Sequence, residues 1–178
     1  MERWVKSEVL YEGPIVRLRT GDAVLDDGTA VKREVVEHDG GVGILPYEDG
    51  EVFLVRQHRI AIGIDLLEIP AGRLEANETP EQRAAVELEE EIGRRAGRIT
   101  PLSTFYPSPG FTNQVDYVFL ATELTETERR PEFDERIEVV RLSLEEAESM
   151  LLRPDALVDG KTALALYALL ARLGRLPG

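Results

Sequence analysis

Apolar and polar residues alternate through most of the first half of this chain, and that period of two indicates β-strands with one face toward a core. Turn sequences separate the alternating segments, and Asp26-Asp27-Gly28 and Glu48-Asp49-Gly50 are typical of tight hairpins. We predict strands over residues 5–11, 15–25, 30–37, 42–47, 52–56 and 66–69, and later over 103–106, 115–120 and 137–142.

Helical spacing takes over in three places. The first helix begins at Thr79-Pro80, an N-cap residue followed by proline, and runs to Gly93. A short helix follows Ser143, and a final one is predicted over 162–173. The strands and helices do not alternate strictly, so 178 residues with this pattern predict one α+β fold with a mixed or antiparallel sheet.

Composition narrows the possible functions. The chain has no cysteine, which excludes disulfides and thiolate metal sites, and its two histidines are too few for a multi-histidine zinc site. A net charge of −13 disfavours nucleic acid and anionic membranes as partners. A bound metal would therefore be held by oxygen, which suggests Mg²⁺ or Mn²⁺. With no signal peptide and no membrane-length apolar run, we expect a cytoplasmic protein.

The first helix carries a cluster of carboxylates. Glu87, Glu90 and Glu91 stand at i, i+3 and i+4, so on an α-helix they share one face. Such a face is either simply solvated or used to hold a divalent cation. The helix follows a strand that ends in Pro70-Ala71-Gly72, and hard cations accept carboxylate and backbone carbonyl oxygens together.

Residues 72–93 resemble the Nudix box, in which glycine, glutamate and a Glu-rich helix recur at fixed spacing. The matching residues are Gly72, Glu78, Glu87, Leu88, Glu90, Glu91 and Gly93. The segment departs from the box at Val86, where the family has arginine, and at Arg94, where it has an aliphatic residue. Because Val86 leaves Glu78 without its family partner, we hypothesise that Arg83 pairs with Glu78 instead.

Segments outside the box resemble the ADP-ribose pyrophosphatase branch of that superfamily. They are residues 55–59, 67–72, 108–112, 134–139 and 159–162. The resemblance implies an α/β/α sandwich around a mixed sheet, with an additional N-terminal antiparallel sheet. It divides the chain into residues 1–40, for dimerisation and nucleotide contacts, and a hydrolase domain over 41–178. The implied reaction is metal-dependent hydrolysis of ADP-ribose to AMP and ribose 5-phosphate.

The same resemblance implies the site residues. The cation, Mg²⁺ or Mn²⁺, is expected on the carbonyl of Ala71 and on Glu87 and Glu91, with Glu90 close by as a further metal-site and catalytic residue. The expected general base is Glu135, with Glu132 as second choice. The residues expected to bind substrate are Arg33, Arg59, Gly72, Ser108 and Gln114.

Two alternatives stay open at this point. One is a pyrophosphatase for GDP-mannose or another nucleotide sugar, and the other is a regulator that binds ADP-ribose without turnover. The branch resemblance also implies a homodimer, in which Arg33 of one chain reaches the site of the other. The expected small-molecule partner is a nucleotide sugar, and neither nucleic acid nor membrane is expected as a partner.

Overall fold

The computed structural model describes the chain except for Glu132, Asp134, Pro154, Leu157, Pro177 and Gly178. The chain divides into two compact units. The first unit comprises residues 1–40 and 106–115, and the second comprises residues 41–105 and 116–178.

The first unit is built on a three-stranded antiparallel sheet in the order β1-β2-β3. Its strands are β1 (Arg3–Glu12), β2 (Arg17–Val24) and β3 (Ala30–Glu37). The segment 106–115 packs along β3, where the Val36 N–H donates to the Phe111 carbonyl (2.8 Å). Strand β1 leaves most of its side chains exposed, among them Val5, Leu10 and Tyr11 at 64%, 60% and 56%.

The second unit holds a seven-stranded mixed sheet. Its strands are β4 (Gly41–Glu48), β5 (Glu51–Arg59), β6 (Ile64–Glu68), β7 (Ala71–Arg73), β8 (Arg94–Phe105), β9 (Asp116–Glu126) and β10 (Ile137–Ser143). The main order is β10-β5-β4-β9-β8, with β6 paired to β5 and β7 paired to β4. Strands β4 and β9 run parallel, while the other pairings in this sheet are antiparallel.

Alternation along the central strands sorts their side chains onto two faces, and each face has its own core. On β4, Ile44 packs with Ala84 and Leu88 of the first helical segment, whereas Leu45 packs with Leu166 from the other side. Successive residues of β5 and β9 divide in the same way. The sheet therefore lies between helices, which is the sandwich expected from the sequence.

The helices begin where capping side chains satisfy their first N–H groups. Helix α1 (Pro80–Glu87) has Thr79 as N-cap, and α2 (Leu144–Leu151) has Ser143; both form capping boxes. Helix α3 (Gly160–Arg172) has Asp159 as its N-cap, and the carboxylate of Asp159 accepts a hydrogen bond from the Thr162 N–H (2.9 Å). Among the described helices, none combines the length and the apolar character needed to span a membrane.

The α+β prediction is confirmed, and three local features differ from it. Helix α1 ends at Glu87 and continues as a π-helical turn, Leu88–Ile92, which Gly93 closes with a φ of 72°. Strand β8 is far longer than the predicted 103–106 because it pairs along most of β9. Strand β7 was not predicted, since three residues are too few to show a period.

Candidate active site

Strand β7 and the first helix meet at the Gly72–Glu87 contact. The Glu87 carboxylate lies so close over Gly72 that a Cβ at position 72 would fall 1.6 Å from Oε1. Glu87 is only 3% exposed, although it carries a carboxylate. Glycine at position 72 is therefore required by the space that this carboxylate occupies.

A second carboxylate is buried one turn further along. Glu91, in the π-helical turn, is 2% exposed, and its Oε2 accepts a hydrogen bond from the Ala71 N–H (3.3 Å). The backbone of β7 thus contacts Glu91 as well as Glu87. The structure brings the predicted residues Ala71, Gly72, Glu87 and Glu91 together.

Burial of these carboxylates changes their acidity. Burial raises the pKa of Glu91 to about 9, with the charges of Glu87 and Glu135 adding to the effect. The pKa of Glu87 is raised to about 7, again chiefly by burial, while Arg83 opposes the rise. Two acids in one buried place hold their negative charge poorly without a cation beside them.

Arg83 is the cation that contacts Glu87. Its Nε donates to Glu87 Oε1 (2.7 Å), and its Nη2 lies 2.5 Å from the same oxygen. The Nη2 group also lies 3.7 Å from Glu90. The hypothesis that Arg83 pairs with Glu78 is wrong, because Arg83 and Glu87 stand at i and i+4, and Glu78 Oε2 is buried without a hydrogen-bond partner.

The guanidinium of Arg59 is fixed by Glu68. Its Nε and Nη2 donate to the two oxygens of Glu68 at 2.6 and 2.8 Å, a bidentate pair on a carboxylate that is 2% exposed. Besides Glu68, Glu91 and Asp159 favour the charged form of Arg59. This places the positive charge of Arg59 within electrostatic reach of Glu91.

The start of α3 adds an ion pair to which the sequence analysis gave no role. Lys161 Nζ lies 2.7 Å from Asp159 Oδ2. Burial disfavours the charge on Lys161, yet Asp159 first, and then Asp116 and Glu68, raise its pKa. The available signal was the run 159–162 at a helix start, which could show a cap but could not show that the pair is partly buried.

Glu135 precedes β10 and is linked electrostatically to the carboxylate pair, since its charge raises the pKa of both Glu87 and Glu91. Arg129 supports this region by donating to the carbonyls of Glu91 (2.6 Å) and Ile137 (2.9 Å). The second choice for the base, Glu132, lies outside the described residues.

Glu135 also lines an open cleft of about 530 Å³ together with three arginines and two further acids. The arginines are Arg56, Arg129 and Arg136, and the acids are Asp65 and Glu138. Opposite charges are therefore mixed along this cleft, and Arg56 is paired with Glu138 at 3.3 Å.

The remaining predicted substrate residues belong to the first unit. Arg33 makes a bidentate contact with Glu2 (3.0 and 2.8 Å) and lines a cleft of about 470 Å³ together with Trp4 and Phe111. The Ser108 carbonyl accepts from the Thr112 N–H (3.1 Å), and the Gln114 N–H donates to Thr112 Oγ1 (3.1 Å).

The donor set around β7 fits a hard divalent cation. Glu87 and Glu91 offer carboxylates beside the backbone of Ala71, and burial, which raises the pKa of both acids, disfavours their ionised form unless a cation compensates the charge. Across the described ranges, no three His, Asp or Glu side chains converge as a ready set of metal ligands. A cation here would therefore also need carbonyl or water oxygens.

Comparison with known proteins agrees with this arrangement. The NUDIX domain family matches residues 37–165. A solved structure described as an ADP compounds hydrolase superposes with a TM-score of 0.85 at 21% identity, covering 98% of this chain and 97% of its own, which supports the fold. This chain therefore belongs to the Nudix family, and it is a hydrolase of that family.

Relatives with described activities extend over nearly the whole chain. An ADP-ribose pyrophosphatase of Bacillus subtilis is 40% identical, over 94% of this chain and 92% of its own. A methanol dehydrogenase activator of Bacillus methanolicus is 32% identical over the same shares. A GDP-mannose pyrophosphatase of Citrobacter koseri is 34% identical, over 91% of each chain.

Proposed function

We propose that this protein hydrolyses the diphosphate bond of ADP-ribose to give AMP and ribose 5-phosphate. The observation that carries the proposal is the buried pair Glu87 and Glu91, which packs against strand β7, in a chain 40% identical to an ADP-ribose pyrophosphatase. Water supplies the oxygen that forms the new bond to phosphorus, and the bridging P–O bond breaks.

A divalent cation, Mg²⁺ or Mn²⁺, belongs to this proposal. Glu87, Glu91 and the Ala71 carbonyl would hold it, with Glu90 beside them. Bound there, such a cation neutralises the diphosphate and acidifies a water molecule. It also reconciles a chain of net charge −13 with an anionic substrate.

Removal of a proton from the attacking water is assigned to Glu135. The effect of its charge on the pKa of both buried carboxylates supports this assignment. Glu132 remains the second candidate. Arg59 is the expected contact for the diphosphate, because Glu68 fixes its guanidinium and the charge of Glu91 acts on it.

The first unit is proposed to complete the substrate site of a second copy. Exposed apolar residues on β1, such as Val5, Leu10 and Tyr11, support a homodimer in which Arg33, with Ser108 and Gln114, contributes to nucleotide binding. Light scattering should give twice 19.9 kDa. Mixing inactive Arg33→Ala and Glu91→Gln proteins should restore activity, and mixtures that stay inactive would remove the shared site from the proposal.

A nucleotide-sugar panel tests the proposed substrate. Purified protein with Mg²⁺ is given ADP-ribose, GDP-mannose and other sugar nucleotides, and the products are separated and identified. We expect AMP and ribose 5-phosphate from ADP-ribose at the highest kcat/KM. A relative described as a GDP-mannose pyrophosphatase supports GDP-mannose as the alternative substrate. Preference for GDP-mannose would change the proposed substrate but not the proposed hydrolysis of a diphosphate bond. Tight binding without any turnover would support the regulatory alternative.

The cytoplasmic location remains a prediction.

A further inference from the structure

The first helix lacks the arginine that the Nudix box places next to its first helical glutamate, since Val86 stands there. Val86 lines a cleft of about 450 Å³ together with Glu89 and Glu90, its neighbours at i+3 and i+4. A side chain at position 86 therefore projects toward Glu89 and Glu90. A cation at that position would not contact Glu87, because residues at i and i+1 do not face each other on a helix.

Arg83 occupies a different place, where it does contact Glu87. Its side chain is only 12% exposed, and two of its nitrogens bind Oε1 of Glu87 at 2.7 and 2.5 Å. On the other side, Gly72 limits the carboxylate, because a Cβ there would fall 1.6 Å from that same oxygen. Oε1 is thus held between a guanidinium and the backbone of β7, which leaves Oε2 as the oxygen without an Arg83 hydrogen bond.

We infer that Arg83 is the positioning residue of this site: it fixes the Glu87 carboxylate so that Oε2 is presented to a divalent cation. This inference rests on the proposed metal-dependent function and deepens it. In this chain Arg83, and not the residue at position 86, orients the Glu87 carboxylate. Arg83 acts through Glu87 and does not itself contact the reacting atoms.

The competing possibility is that Arg83 only neutralises charge on an acidic helix. Arg95 provides the matched control, because it forms the same kind of ion pair with Glu89 (2.8 Å) from the exposed side of the π-helical turn. Replacing either arginine with alanine removes one positive charge that contacts a glutamate of the same helical segment, although Arg95 itself lies on β8. Only Arg83→Ala releases a carboxylate of the buried pair.

The test measures Mn²⁺ binding to the metal-free protein by titration calorimetry, with kcat at saturating Mg²⁺ as a second readout. We expect Arg83→Ala to weaken Mn²⁺ binding about tenfold or more and to lower kcat by about 10- to 100-fold, as for other residues that orient a metal ligand. Arg83→Lys, which keeps the charge but loses the two-nitrogen contact, should fall between the wild type and Arg83→Ala. Arg95→Ala should bind Mn²⁺ as the wild type does.

A second variant separates position from charge. Adding Val86→Arg to Arg83→Ala restores the net charge one turn away, and we expect no recovery of Mn²⁺ affinity. Recovery in that double variant would overturn the inference, and so would unchanged or tighter Mn²⁺ binding by Arg83→Ala. If Arg83→Ala does not fold by circular dichroism, Arg83→Lys and Arg83→Gln decide by the same criterion. Failure of the wild-type protein itself to bind Mn²⁺ would instead contradict the proposed function.

Discussion

The Glu87 carboxylate lies over the backbone of Gly72, where a Cβ would come within 1.6 Å of Oε1. Helix α1 and the short strand β7 therefore pack against each other through this acidic side chain. Because Glu87 is 3% exposed, it has little freedom to move aside. This contact fixes one of the two buried carboxylates relative to the strand that supplies the Ala71 carbonyl.

Gly72→Ala should consequently disrupt the site. The new methyl group must displace Glu87 or β7, and we expect a loss of about 1–3 kcal/mol of unfolding free energy together with loss of turnover. Denaturant unfolding and kcat measure the two effects. Gly160→Ala is the control, since a Cβ at that helix start meets no atom within 4 Å, and it should leave both quantities near wild type or slightly raise stability.

The metal-free protein should lose stability as the pH rises. Glu87 and Glu91 keep their protons in the folded state up to about pH 7 and 9, whereas in the unfolded chain they lose them near 4.5. Between these values the unfolded state binds fewer protons, so the free energy of unfolding falls from about pH 5 to pH 9.

Urea unfolding in the presence of a chelator measures this slope. In Glu91→Gln, the fall in the free energy of unfolding between about pH 5 and pH 9 should be smaller by at least about 1.4 kcal/mol, which is the equivalent of one pKa unit. Added Mg²⁺ should also flatten it, because a cation favours the ionised carboxylates. A wild-type slope of the opposite sign would show that these acids are not buried as described.

Lys161 should contribute more to stability than an ordinary ion pair does. Lys161→Met leaves the partly buried Asp159 without its cation and removes the positive charge near Asp116 and Glu68, which we expect to cost about 1–3 kcal/mol. Asp159→Asn combined with Lys161→Met should cost less than the sum of the single changes, by about 0.5–3 kcal/mol.

Thermal and urea unfolding of the two single variants and the double variant give the free energies of unfolding for this double-mutant cycle. Arg153→Ala removes a cation from an exposed pair with Asp155 and should change the free energy of unfolding very little. Strict additivity of Asp159→Asn and Lys161→Met would mean that the two side chains do not interact in solution.

Glu135→Gln tests the assignment of the base. A glutamine cannot take the proton from water, so kcat should fall by about 10²- to 10⁴-fold with little change in KM. Steady-state kinetics at saturating Mg²⁺ make the measurement. Near-wild-type kcat in Glu135→Gln with a large loss in Glu132→Gln would move the role to the second candidate.

Much of the fold followed from local patterns. Residues 30–37 were predicted as a strand with the bounds that the structure has, and the caps at Thr79 and Ser143 were read correctly. Such features depend on neighbours in sequence, which is why they could be predicted. The length of β8 depends instead on its pairing with β9, and its residues show no regular period.

The site was harder to predict from the sequence, because its properties come from burial and long-range contacts. The spacing of Glu87 and Glu91 was visible, but their near-complete exclusion from water depends on β7 and on the packed sheet. The Arg83–Glu87 pair was available from i and i+4 spacing and was missed in favour of Glu78. The partial burial of the Asp159–Lys161 pair becomes recognisable only once α3 is packed against the sheet.

The most direct test of the whole account is kcat/KM for ADP-ribose with Mg²⁺, measured for Glu91→Gln against Glu89→Gln. The two changes remove the same charge two residues apart, one in the buried pair and one that faces Arg95 on the surface. We predict a loss of at least about 100-fold for Glu91→Gln and near-wild-type turnover for Glu89→Gln. Equal losses, or an unaffected Glu91→Gln enzyme, would contradict the claim that the buried carboxylates of this helix form the catalytic centre.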